Sequence, residues 1–250
     1  MAKKQGDAAS GGKLTQAAKK QIRELSPLCF SDPVSHVYLP TEYAWQTHSE
    51  YLTRYCAGNK RVLFLGMNPG PWGMSQTGIP FGEISLVRDW MGISGSVEKP
   101  KNEHPKRQVE GFDCKRVEVS GQRLWGLFSE KYPNADDFFA EHVVVNYCPL
   151  VWMGETGRNI TPDKLPKAEM EPVEVACREH LARFISIVNP EWLVGVGVYA
   201  EKKLSETVEA YFPDKEFKIG RVLHPSPASP LANRGWSSMA EKQLNELGVW

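Results

Sequence analysis

The stretch "LFLGMNPGPWG", Leu63 to Gly73, decides how this chain is read. An unbroken apolar run ends in an Asn, and then proline and glycine fill the loop. A continuous apolar run, as opposed to an alternating one, is the pattern of a strand covered on both faces, as in a parallel sheet. The loop behind it is stiff where it has proline and open where it has glycine, so its backbone can approach a ligand closely. Three more runs share this character: His142 to Tyr147, Trp192 to Val198 and Lys218 to Leu223, with the first spanning Arg61 to Gly66.

Helical patterns separate these runs. Val173, Cys177, Leu181, Phe184 and Val188 fall on one face of a helix that the sequence enters at Pro172 and ends at Asn189-Pro190. Tyr199 to Tyr211 and Ala232 to Leu247 are two more, the latter stopped by Gly248. The alternation predicts an α/β fold: a three-layer α/β/α domain with a central, mostly parallel four-stranded sheet. Its ligand site is expected beyond the carboxyl ends of the strands. There the sequence reads "GMNPGPWG", "NYCPLVW", "GVGVYA" and "HPSPASP".

Composition narrows the classes. The 250 residues are 41% hydrophobic and 24% charged, as in a globular protein, and 30 basic residues balance 30 acidic ones. No global field draws the chain to nucleic acid, so a polyanion must be met locally; "KPKNEHPKR", Lys99 to Arg107, with Lys115 and Arg116, is one patch, and Arg221 with Arg234 another. No apolar run has membrane-spanning length. The first 24 residues, rich in Lys, Gly, Ser and Ala and lacking an apolar signal region, are expected to be a disordered tail ahead of a single domain over 25–250. Five dispersed cysteines without a C-x-x-C pair, and histidines without ligand spacing, predict no metal site and a reducing, intracellular setting.

"GVGVYA" matches G-x-G-x-x-A, but too little chain follows for a dinucleotide fold, so its small residues read as close strand-helix packing. Cys148 with His224 makes a poor nucleophile-base pair, because Pro149 removes the adjacent N–H. Asn68 and His224 remain. An Asn amide orients a water without activating it strongly, and a His held beside Pro225 can hydrogen-bond a group that gains negative charge.

Taken in order, "EYAW", "TRYC", "FLGMNPGPWGMSQTGIPFGE", "VRDWMGI", "NYCPL", "GRNITP", "HPSP", "ANRGW" and "LNELG" resemble the single-strand-selective monofunctional branch of the uracil-DNA glycosylase superfamily from about Ser31 onward. The resemblance implies hydrolysis of the N-glycosidic bond of uracil and C5-oxidised uracils such as 5-hydroxymethyluracil in single- and double-stranded DNA, leaving an abasic site. It implies no cofactor, a monomer, and a nuclear location in a eukaryote or a cytoplasmic one in a bacterium. By the same resemblance Asn68 positions water and His224 stabilises the leaving base. Met67 lines the pocket, Gly70 leaves room at C5, Phe81 stacks on the base and Asn146 pairs with it. Pro225, Ser226, Pro227, Ala228, Ser229, Pro230, Asn233, Arg234, Gly235 and Trp236 form a wedge on DNA. Two positions depart from vertebrate members, which carry Arg at Ala228 and Phe at Trp72. The competing reading is a noncatalytic reader of damaged or single-stranded DNA.

Overall fold

A computed structural model describes residues 2–250, with side chains from residue 7 onward. Helix α1, Ala2–Leu25, leads to a short strand β1, His36–Tyr38, and helices α2, Pro40–Tyr43, and α3, Trp45–Arg54. Strand β2, Val62–Gly66, is followed by α4, Met74–Thr77, α5, Val119–Lys131, and α6, Ala135–Glu141. Then come β3, His142–Asn146, β4, Val151–Met153, β5, Asn159–Ile160, and α7, Lys167–Val188. The chain closes with β6, Trp192–Val196, α8, Val198–Tyr211, β7, Lys218–Val222, and α9, Trp236–Leu247.

The main sheet has order β3-β2-β6-β7, parallel throughout. Two glycines on neighbouring strands assign its layers. Gly195 and Arg221 are register partners and share a face, while Gly220, one residue earlier on β7, points to the other. A Cβ on Gly195 would collide with the backbone of Glu201 on α8, and one on Gly220 would come 2.8 Å from Leu247 on α9. Helices α8 and α9 therefore cover opposite faces; α7 packs beside α8 and α5 beside α9. The three layers predicted from the sequence are present. A second sheet, β1-β4-β5, is antiparallel and was not anticipated, its strands being too short to show a period.

The expected disordered tail is instead helix α1. Leu14, Ala18, Gln21 and Leu25 recur at helical spacing and are buried against α3 and α7. Gly11 permits the approach, since its Cβ would stand 3.3 Å from the Thr53 Cα. A stripe made largely of Ala and Gly carries little apolar signal in sequence, yet it lets helices pack closely. Two boundaries also move. Helix α7 starts at Lys167, with Pro172 inside it; the carbonyl freed by the missing N–H belongs to Ala168, an exposed residue. The last expected helix is broken at Gly235, φ 118°, into a 3-10 turn over Ala232–Arg234 and α9.

Buried histidines give this fold an acid limit. His48 and His142 are both buried, each with Nδ1 at a backbone carbonyl, and burial lowers each to about 4. Between that value and the usual ~6.5 the unfolded chain holds these protons and the folded chain does not, so stability falls as pH falls. Each His should contribute a slope of about 1.4 kcal/mol per pH unit in that window. Urea titrations from pH 7 to pH 4.5 should show the unfolding midpoint dropping steadily, and His142→Phe should flatten the slope.

Candidate active site

The site begins where β2 and β3 end side by side. Gly66 and Asn146 are register partners, and the ladder continues past both strands, with Tyr147 N–H donating to Gly66 O at 2.9 Å and Cys148 N–H to Met67 O at 3.0 Å. This zipper carries the Asn68 loop and the Asn146 segment out together. Asn68 Nδ2 then donates to Leu150 O at 3.3 Å, which leaves Oδ1 as the acceptor.

Asn146 is held less completely. Its Nδ2 reaches only the Met74 Sδ, at 3.4 Å, and its Oδ1 is buried with no hydrogen-bond partner among the described residues. A thioether is a weak acceptor, so the amide has both ends available in a place where water is scarce. A buried, unpaired carbonyl costs about 1–3 kcal/mol and calls for a ligand.

Phe81 stands next to it. Gly66 has no side chain because both Asn146 Oδ1 and the Phe81 ring occupy the space, the ring Cε2 lying 2.5 Å from where a Cβ would be. Phe81 itself adopts φ 53°, a left-handed conformation that costs an aromatic residue of order 1–3 kcal/mol. Its neighbours impose it. Trp125 Nε1 of α5 donates to Pro80 O at 3.0 Å, and Gly121 of α5 lies bare against the Phe81 carbonyl.

His224 comes from the end of β7, its ring centroid 6.3 Å from that of Phe81. Ser226 N–H donates to His224 Nδ1 at 3.1 Å, which makes Nε2 the protonated nitrogen of a neutral ring. Burial lowers its pKa and keeps it neutral. Gly197, φ 94°, is the floor under this imidazole, with its Cβ position 3.1 Å from the His224 Cβ. The "GVGVYA" glycines thus serve packing, Gly195 against α8 and Gly197 against His224.

The structure therefore brings Asn68, Phe81, Asn146 and His224 to one end of the sheet, with Met67 half-buried between the two strand extensions. Gly70 behaves differently. The space it leaves is filled by Glu118, whose Oε2 would lie 2.7 Å from a Gly70 Cβ. Glu118 caps α5 through the Ser120 N–H, lies between Gly73 and Gly121, and has its pKa raised by burial. Neither Glu118 nor Gly66 stands out in the sequence; the only trace of Gly66 is a glycine at the end of an apolar run. Gly66→Ala should displace Phe81 and Asn146 together. Single-turnover assays should show at least a tenfold activity loss, with circular dichroism unchanged in shape.

The 225–236 segment is braced from within. Arg123 of α5 donates to Pro225 O and to Asn233 Oδ1, both at 2.9 Å, and Asn233 Nδ2 donates to Pro227 O at 2.9 Å. Ser226 Oγ accepts from Ala228 N–H, and Ser229 Oγ from Ala232 N–H. This corrects part of the expected DNA-contacting set. Trp236 is 2% exposed and donates its indole N–H to Leu223 O at 2.6 Å, because a buried indole needs a partner; it anchors the loop. Pro225 is likewise buried, and the Asn233 amide is spent inside the loop. Pro227, Ala228, Pro230, Arg234 and Gly235 are exposed, and Ser226 and Ser229 partly so. Leu231, which sequence reasoning passed over, is 53% exposed. Among the described residues no group of His, Cys, Asp or Glu is arranged to hold a metal.

The sequence matches the family model for the uracil DNA glycosylase superfamily over residues 53–247. It is 48% identical over 226 residues, 90% of this chain and 82% of the relative, to the bovine (Bos taurus) single-strand selective monofunctional uracil DNA glycosylase. Identity to the rat (Rattus norvegicus) protein of that name is 47%, covering 90% of this chain and 81% of the relative. The crystal structure of Pedobacter heparinus SMUG2 superposes with a TM-score of 0.67, covering 96% of this chain and 97% of that one. At 18% identity that likeness speaks for the fold alone.

Proposed function

This chain belongs to the uracil-DNA glycosylase superfamily, and from that membership and its pocket we propose that it hydrolyses the N-glycosidic bond of uracil and of C5-oxidised uracils such as 5-hydroxymethyluracil in DNA. One observation carries the choice of base: the buried Asn146 amide with its unpaired Oδ1. Uracil offers an N3–H for that oxygen and an O4 for Nδ2. Cytosine offers an acceptor and an amino group in those places, so it leaves the amide mismatched.

The other residues take roles that fit their geometry. A base flipped out of the stack would lie on Phe81, whose strained backbone holds the ring at the strand end. Asn68 Oδ1 would accept from the attacking water, while His224 Nε2–H would donate to O2 as the departing base gains charge. Cleavage with an oxocarbenium-like sugar needs little activation of water, so a neutral amide suffices. The C5 edge would face the Gly70 side of the loop, where Glu118 fills the space a side chain would take, so a C5 substituent would be accommodated there by the Glu118 carboxyl turning aside. The braced 225–236 loop would enter the stack, with Leu231 as its exposed apolar side chain. Ala228 provides no cation there, which favours single-stranded over duplex substrate.

The test is incubation with single- and double-stranded oligonucleotides containing U, 5-hydroxymethyluracil, T or C, followed by alkali. Strand breaks at U and 5-hydroxymethyluracil, with C intact, are the expected result. Base-dependent binding without any alkali-labile product would favour the noncatalytic reader and overturn the enzyme assignment.

A further inference from the structure

Trp72 lies four residues beyond Asn68 on the same loop, and two guanidiniums pack on its ring. Arg107 has its Cζ 5.1 Å from the ring centroid and Arg116 has its Cζ 5.5 Å away. They come from separate parts of the long segment between α4 and α5, so the tertiary fold puts them together. Arg107 is also fixed by its Nε donating to Gly157 O at 2.9 Å and its Nη1 to Lys106 O at 3.0 Å.

Among the described residues Trp72 carries two guanidiniums on one ring, and neither is neutralised by a carboxylate, unlike Arg54, Arg61, Arg88, Arg183 and Arg221. The carboxylate packed against this loop, Glu118, lies behind Gly70 and Gly73 and accepts from the Ser120 N–H. Two like charges gathered on one indole repel each other, and cation–π contacts at a partly exposed site return only about 0.5–1 kcal/mol apiece. Stacking also fixes the guanidiniums against the ring, which suits them to the oxygens of a tetrahedral anion. The chain as a whole is electrically neutral, so an anionic strand must be attracted at such a spot.

We propose that Arg107 and Arg116, held on Trp72, form a binding site for a backbone phosphate of the DNA strand whose base enters the pocket. The site rests on the DNA-glycosylase reading above. It adds a cationic contact on the Asn68 loop, separate from the 225–236 loop, and so available to single-stranded substrate.

The experiment is salt-dependent binding of the full chain to a fluorescent single-stranded oligonucleotide with a central 2′-fluorinated, uncleavable deoxyuridine. Each phosphate contact on a single strand contributes about 0.7 to the slope of log Kd against log salt. Because both guanidiniums address one phosphate, the double variant Arg107→Gln/Arg116→Gln should reduce the slope by about that amount, and each single variant by part of it. Lys242→Gln on α9, which removes a cation paired with Glu246, should leave it unchanged. Wild-type slopes in both arginine variants overturn the site. Should Arg107→Gln lower the melting temperature, Arg116→Gln decides, because its guanidinium holds no hydrogen bond or ion pair among the described residues. Uracil excision by the wild type, measured in parallel, separates the outcomes: excision with unmoved slopes removes the phosphate site alone, and shifted slopes without excision remove the catalytic reading alone.

Discussion

Asn68→Ala is expected to reduce single-turnover excision of uracil by about 10²–10⁴, the usual worth of a group that handles the attacking water. The reason is the amide's fixed orientation. With Nδ2 donating to Leu150 O, Oδ1 is the atom left to accept from a water, and Ala removes it. Binding should change little, because stacking on Phe81 and pairing with Asn146 do not involve Asn68. The fold should survive, since the substitution deletes one 3.3 Å hydrogen bond on a half-buried loop, worth about 0.5–1.5 kcal/mol. Asn68→Asp, which keeps an acceptor oxygen, should lose less activity than Ala. A variant at wild-type rate, with its melting curve unchanged, would remove Asn68 from the mechanism.

His224→Ala should cost about 10²–10³ in the chemical step, comparable to losing one preorganised donor at a developing anion, or roughly 2.7–4 kcal/mol. Its pH dependence gives a second readout. Burial lowers the imidazole pKa, and the Ser226 N–H already occupies Nδ1, so the ring works neutral with its proton on Nε2. Activity should therefore hold level from pH 8 down past the usual His value of ~6.5. It should fall only below that, when a proton on Nδ1 would confront the Ser226 N–H and disturb the loop. His224→Gln should show a lower rate and lack this acidic limb. An acidic limb retained in the Gln variant would assign the titration to another group, with the Glu118 carboxyl, raised by its own burial, the first to test by Glu118→Gln.

As candidates Asn68 and His224 were legible before any tertiary structure, as were Phe81 and Asn146, because each sits in or next to a motif at a strand end, and the fold brings the four to one end of the sheet. Continuous apolar runs marked β2, β3 and β6 to within two residues, and the parallel sheet followed from their unbroken apolar character and the helical patterns between them. Gly70 was legible only in part. A glycine in a proline-rich loop announces close approach, but not what approaches; in the fold it is Glu118, supplied by a helix almost fifty residues later. Gly66, where Phe81 and Asn146 actually meet, looked like the end of a strand.

What the sequence determined by itself, then, is whatever a local period or a short motif encodes: the parallel sheet and the residues at its carboxyl ends, while the strand order β3-β2-β6-β7 came from the tertiary structure. What only the tertiary structure decided lies between segments distant in the chain. Helix α1 docks through Leu14, Ala18 and Leu25 on α3 and α7, although its composition reads as a tail. Arg123 braces the 225–236 loop from α5, Trp236 turns inward to Leu223, and Arg107 meets Arg116 on Trp72. The reason is physical. Local pattern governs which face of an element is apolar, whereas close packing, hydrogen-bond completion and charge pairing depend on which atoms arrive from elsewhere.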